Sequence, residues 1–161
     1  VGYLAENYRI PPHLSGWQYL QRCAELLDIS RSEATDQCRR IVELIGMQGR
    51  EHTKTGTYSK GMIQRFGLGA ALIGNPKLLI LDEPTSGLDP IGIREIRQLL
   101  ESLKDQGMTI FLNSHLLSEV EKICDTAAII NRGKLLVKDA ISAIVKDGET
   151  LEDVFVRFVK G

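Results

Sequence analysis

The sequence predicts an α/β fold: part of a mainly parallel sheet with flanking helices, carrying an inserted helical segment. Three observations lead there. The apolar run Leu78-Leu79-Ile80-Leu81 ends in Asp82-Glu83-Pro84, the pattern of a strand buried on both faces of a parallel sheet. Strand-like and helix-like segments alternate after Lys77. Before that run, apolar residues recur at helical spacing through three successive segments.

Gly2 to Glu6 reads as the end of a strand, and Asn7 to Ser15 as a loop in which Pro11-Pro12 forbids helix. Trp17, Leu20, Ala24 and Leu27 mark a first helix from Gly16 to about Asp28. Ser30 caps a second, with Glu33 as capping-box partner, and it stops near Gly46. Gln48 to Thr57 is polar and loop-like. A third helix starts near Ser59 and ends near Gly74-Asn75-Pro76.

Lys77 to Asp82 is then a strand. A helix follows from about Ile91 to Lys104, with Ile93, Ile96, Leu100 and Leu103 inward. Met108 to Asn113 is the next strand, and Leu116 to Cys124 a short helix. Thr126 to Asn131 is a strand that turns at Asn131-Arg132-Gly133, so that Lys134 to Val137 pairs back. Asp139 is expected to cap a short helix to Lys146. Thr150 with Asp153 forms a capping box for a last helix, which carries Leu151, Val154, Phe155 and Phe158 on one face.

Composition narrows the classes. At 161 residues with 43% hydrophobic and 25% charged, the chain can bury a sizeable core and is not of disordered type. The formal net charge of −1 gives no reason to expect a nucleic-acid partner. No apolar stretch is long enough to span a bilayer, and no signal-peptide pattern opens the chain. Cys23, Cys38 and Cys124 are widely spaced without metal-ligand pattern, and packing thiols in a reducing compartment are expected.

The chemistry gathers at strand ends. Open α/β sheets bind ligands at the carboxyl edge of the strands, where Asp82 and Glu83 emerge. Two acids there suit a magnesium-nucleotide: one holds the metal's water shell and the other orients an attacking water. The plain alternative is a strand followed by an acidic turn. Ser59 and Gly61 open a helix, where exposed N–H groups and the positive dipole end attract anions. The alternative there is an ordinary N-cap serine. His115 follows a strand and a small turn, where an imidazole can hydrogen-bond a phosphate oxygen.

In order and spacing, Tyr58-Ser59-Lys60-Gly61-Met62, Leu78 to Glu83, Ser86 to Asp89, and Leu112-Asn113-Ser114-His115 resemble the ATP-binding cassette (ABC) ATPases, the motor subunits of ABC transporters. They match that family's signature loop, Walker B strand, D-loop and switch histidine. Val1 to Glu6 is similar to the strand and glutamine-loop segment that opens the family's helical subdomain. The resemblance implies a P-loop NTPase core, the second half of its sheet, divided as a helical subdomain over about 7–75, an α/β core over about 76–138 and C-terminal helices over about 139–161. It implies ATP and Mg2+ as cofactors. Asp82 would act on the metal, Glu83 would be the catalytic base or water-orienting group, and His115 would assist it. Ser59, Lys60 and Gly61 would reach nucleotide held by a second ATPase subunit in a head-to-tail dimer, and Asp89 would bridge the two subunits. Glu6 stands where the family usually has glutamine, Lys60 where glycine is usual and Met62 where glutamine is usual. Exporter-type members carry similar lysine-containing loops and a similar glutamate, whereas Met62 removes a polar contact. The resemblance therefore implies an ATP-hydrolysing subunit at the cytoplasmic face of the membrane, powering export through a transmembrane permease.

Two further expectations come from the start of the chain. Val1 opens inside a strand, and no G-x-x-x-x-G-K-S/T loop occurs in the 161 residues. This reads as a C-terminal part lacking the Walker A segment, inactive by itself. A soluble ABC ATPase without a transport role, and a truncated non-catalytic nucleotide-binding or interaction fragment, are the alternatives.

Overall fold

The computed structural model describes residues 1–146 and 148–160; Asp147 and Gly161 lie outside the described residues. It divides into two compact units, Val1–Asn113 and Ser114–Gly161.

The first unit is built on a three-stranded parallel sheet, β1 (Gly2–Leu4), β2 (Leu78–Asp82) and β3 (Thr109–Asn113), in that order. Between β1 and β2 the chain inserts α1 (Gly16–Leu26), α2 (Arg31–Leu44), a 3-10 turn at Thr55–Thr57 and α3 (Lys60–Leu72). Between β2 and β3 lies α4 (Pro90–Asp105), so this crossover has the βαβ form that parallel pairing requires. Leu81 stands opposite Leu4 on one side and Leu112 on the other.

Strand β2 departs from the expectation of burial on both faces. Leu79 and Leu81 are fully buried, while Leu78 and Ile80 are half-buried. The cause is one-sided cover. Helix α3 crosses so close to the inner face that a methyl on Gly2 would lie 2.0 Å from the Ala71 carbonyl oxygen. On the other face Tyr3, Ile80 and Phe111 share a row, and Tyr3 and Phe111 are exposed. Gly67 has the same kind of role within α3. An added methyl would meet Tyr8 Cδ1 at 2.6 Å and Leu4 Cδ1 at 2.7 Å, so its missing side chain lets the helix settle on the sheet.

The helical insertion is stitched by capping. Ser15 and Gln18 form a reciprocal capping box at α1, with 2.9 and 3.2 Å bonds. At α2 the expected box is only half made. Ser30 Oγ accepts from Glu33 N–H at 3.4 Å, but the Glu33 carboxylate instead accepts from Gln37 Nε2 at 3.1 Å, an i,i+4 pair on the same helix. The Tyr8 and Tyr19 hydroxyls meet at 2.5 Å with edge-to-face rings. Burial and this hydrogen bond push the Tyr8 hydroxyl well above the ordinary phenol range. Trp17 is half-buried and packs against the His52 ring at 5.7 Å.

The second unit holds α5 (Leu117–Ile123), β4 (Thr126–Asn131), β5 (Lys134–Ala140), α6 (Ile141–Ile144) and α7 (Leu151–Lys160). The expected hairpin is present: β4 and β5 pair antiparallel, and Arg132 (φ 50°) and Gly133 (φ 75°) give the left-handed pair that a two-residue turn favours. Strand β5 runs longer than expected. Asp139 sits inside it opposite Ala127, so it does not cap a helix to Lys146, and the helix that follows is one turn long. Pairing with β4 outcompetes the local cap because it satisfies backbone groups on both strands. The Thr150–Asp153 capping box forms as expected, with 2.9 and 3.2 Å bonds. Leu151 and Val154 join Ala127, Ile129, Ile141 and Ile144 in a small core, whereas Phe155 and Phe158 stay partly exposed.

Candidate functional site

The carboxyl edge of the first unit's sheet gathers the acids. Asp82 ends β2 opposite Asn113 at the end of β3, and Asn113 Nδ2 donates to Asp82 Oδ1 at 2.7 Å. The amide holds one carboxylate oxygen and so fixes the plane of the group. Asn113 also serves through its backbone, whose carbonyl accepts from Glu83 N–H at 2.9 Å. The sequence marks Asn113 only as the end of a strand leading to His115. Its role depends on strand register, which two segments thirty residues apart do not reveal.

Glu83 is 9% exposed, and its backbone is left-handed at φ 49°. A non-glycine residue in that region carries a strain of about 1 kcal/mol, and such strain concentrates at functional positions. The turn is closed by the Ser86 N–H bonding the Glu83 carbonyl at 3.1 Å and Leu88 N–H bonding the Thr85 carbonyl at 3.2 Å. A buried carboxylate on a fixed backbone keeps one direction, as a base or water-orienting group needs. Glu6 is exposed in the turn after β1. Since Leu4 stands opposite Leu81, Glu6 and Glu83 each leave the sheet two residues later at the same edge.

Ser59 caps α3, and its Oγ accepts from Met62 N–H at 3.2 Å. Asp89 caps α4, with Gly92 N–H donating to Oδ1 at 2.7 Å and Pro90 in the first helical turn. These two helix starts are neighbours. A methyl on Gly61 would lie 3.6 Å from Leu88 Cδ2, and one on Gly87 (φ 68°) would come within 2.2 Å of Lys60 Nζ. The Lys60 ammonium therefore rests against the loop after the acids. His115 is exposed in the second unit, where its carbonyl accepts from Leu117 N–H at 3.1 Å and Ser114 Oγ accepts from Leu116 N–H at 3.1 Å.

The structure thus brings Asp82, Glu83 and Glu6 to one sheet edge, and Ser59, Lys60 and Gly61 beside the Gly87–Asp89 loop. Among the described residues, no group of three or more His, Cys, Asp or Glu side chains could cage a metal. The Asp82 and Glu83 carboxylates at the sheet edge suit Mg2+, which keeps several waters and takes one or two carboxylates with substrate phosphates.

The model of the ABC transporter family matches residues 1–86, more than half of the chain, and the chain belongs to that family of ATP-binding proteins. An uncharacterized ABC transporter ATP-binding protein of Nostoc sp. (strain PCC 7120) is 43% identical over 152 residues, covering 93% of this chain and 45% of that protein. The bacitracin transport ATP-binding protein BcrA of Bacillus licheniformis is 42% identical over 137 residues, covering 84% and 44%. The lantibiotic transport ATP-binding protein SrtF of Streptococcus pyogenes is 37% identical over 155 residues, covering 96% and 64%. A solved structure of the ATP-binding subunit of an ABC transporter superposes with a TM-score of 0.83 at 25% identity, covering 98% of this chain and 67% of that one. The chain spans less than half the length of the first two relatives, at 45% and 44%.

Membership implies ATP and Mg2+ as the cofactors. It also overturns two expectations. The family match starts at residue 1, so neither a protein lacking the Walker A segment nor an inactive one follows from where this sequence begins.

Proposed function

We propose that this chain is part of the ATP-binding and ATP-hydrolysing subunit of an ABC transporter that drives export through a partner permease. The observation that carries the reading is the β2 edge: Asp82 held by Asn113, followed by a buried Glu83 on a strained left-handed backbone. Relatives named for bacitracin and lantibiotic transport support a role in transport.

In this reading Asp82 acts on the metal through its water shell, and Glu83 orients the attacking water and takes its proton. When bound, Mg2+ would neutralise charge developing on the transferred phosphate. His115 holds the γ-phosphate oxygen or the water, and Glu6 senses the metal. Ser59, Lys60 and Gly61 complete the site of a second subunit, in the simplest assembly another copy of this chain arranged head to tail, and Asp89 bridges the two. The region 7–75 is the helical subdomain that meets the permease, 76–138 the α/β core and 139–161 the C-terminal helices. Among the described residues no helix is long and apolar enough to cross a membrane. The protein acts as a peripheral subunit on the cytoplasmic face of the membrane, without a nucleic-acid partner.

The test is Glu83→Gln in the full-length protein. ATP binding is retained and steady-state hydrolysis is lost by about a hundredfold or more. Turnover at the wild-type rate would refute the assignment of Glu83.

A further inference from the structure

Arg65 lies in α3, beyond the signature-like loop, and the proposed mechanism gives it no part. Its guanidinium joins three elements of the first unit. Nη1 donates to the carbonyl of Ile45, the C-cap of α2, at 2.9 Å. Nη2 pairs with the Glu95 carboxylate on α4. The side chain is 19% exposed, and a methyl on Gly46 would lie 3.1 Å from Nη1, so the guanidinium is pressed onto the end of α2. The carbonyl end of a helix carries partial negative charge, and the fork of an arginine can hold that end and a carboxylate together.

The anchor stands near both loops. Arg65 follows Lys60 by five residues, about 7.5 Å along α3. Glu95 follows Asp89 by six, about 9 Å along α4. The loops themselves lie side by side: a methyl on Gly61 would meet Leu88, and one on Gly87 would run into Lys60. A close approach of the loops at the helix starts and one ion pair farther along tie α3 to α4.

From this geometry we infer that Arg65 is a positioning residue for ATP hydrolysis, coupling the signature loop to the D-loop of the same subunit so that the two present as one rigid surface. The inference rests on the reading of those loops given above and adds a residue and a pairing to it. Ser59 and Gly61 must meet a phosphate while Asp89 meets the partner, and Arg65 with Glu95 sets their relative direction. Removing either partner leaves nucleotide binding in its own half-site intact and degrades the shared geometry in which the reaction occurs.

Because the Glu95 side chain is 47% exposed, its ion pair adds little to folding stability, and Glu95→Ala separates an effect on turnover from an effect of unfolding. The experiment measures kcat and KM for MgATP in full-length protein carrying Arg65→Ala, Glu95→Ala, both together, and Arg65→Lys. Each single alanine variant is expected to lower kcat about tenfold with KM within about twofold, and the double variant to fall no further than the lower single. Arg65→Lys, which keeps the charge and loses the fork, is expected to recover less than half of the lost rate. Wild-type kcat in Glu95→Ala, losses that multiply in the double variant, or a rise in KM alone would each overturn the inference. If Arg65→Ala fails to fold, Glu95→Ala decides by the same criterion. Glu83→Gln is assayed alongside: if that variant hydrolyses ATP normally, the reading of the site fails, and if it is dead while the Arg65 and Glu95 variants are normal, only this inference fails.

Discussion

Replacing Asn113 by alanine removes one hydrogen bond and little else. Its Nδ2 donates to Asp82 Oδ1 at 2.7 Å, whereas the bond that orders Glu83 comes from the Asn113 backbone carbonyl and survives the change. A hydrogen bond to a charged carboxylate contributes about 1.5–3 kcal/mol when shielded. This one is exposed, so solvent competes for both groups and about 1 kcal/mol remains. That difference corresponds to roughly a fivefold change in a binding constant. Removing a partner that orients a metal-associated carboxylate has typically cost about tenfold or more in affinity. The expected result is therefore a five- to tenfold rise, to order of magnitude, in the Mg2+ concentration giving half-maximal ATP hydrolysis. Thermal unfolding should shift by no more than about 2–4 °C, since the side chain lies outside the core. Asn113→Asp sets a second negative charge against Asp82 and should lose more than alanine does. The assay is a Mg2+ titration of turnover at fixed ATP, with unfolding followed in parallel. An unchanged Mg2+ half-point in Asn113→Ala would refute the reasoning, because Asp82 would then not need that amide to meet the metal.

Two other changes probe the same physics. At position 83 the backbone is left-handed, so Glu83→Gly should be more stable than Glu83→Ala by about 1 kcal/mol, the reverse of the usual order, while both lose turnover. Equal stability in urea unfolding would show that the strain is absent. Cys38 is buried, and desolvation, with a smaller effect of Cys23, pushes its thiol from 9.0 up to about 11. The raised value means that stability is complete below pH 9 and is lost as pH climbs toward 11, because the unfolded thiol ionises first. Stability should fall by about 2 kcal/mol across that window in wild type and more gently in Cys38→Ala. Parallel curves for the two proteins would count against it.

Much of this was legible because the signals were local. The run from Leu78 to Asp82 carried its strand and acids together, and Ser59 announced the start of α3 by its capping chemistry. Arg132-Gly133 announced a tight turn, and the strands on either side pair as that turn demands. What stayed hidden was non-local. Nothing near Asn113 in sequence indicates that it faces Asp82, since the pairing exists only through the register of β2 and β3. Arg65 looks like any helical arginine until α2 and α4 arrive beside it. Local rules also failed where a better partner competed. Glu33 bonds Gln37 rather than closing a capping box, and Asp139 is carried into β5 by pairing with β4.

The central claim is that Asp82 and Glu83 are half of a site completed by Ser59 and Gly61 from another subunit. Mixing two inactive variants of the full-length protein, Glu83→Gln and Ser59→Arg, tests it directly. In a head-to-tail mixed dimer one site receives both defects and the other receives neither. Random pairing then makes about half the dimers mixed, each with one intact site, so hydrolysis should return to about a quarter of the wild-type rate. A mixture as inactive as its components would contradict the claim, because the acids and the signature loop would then act within the same chain.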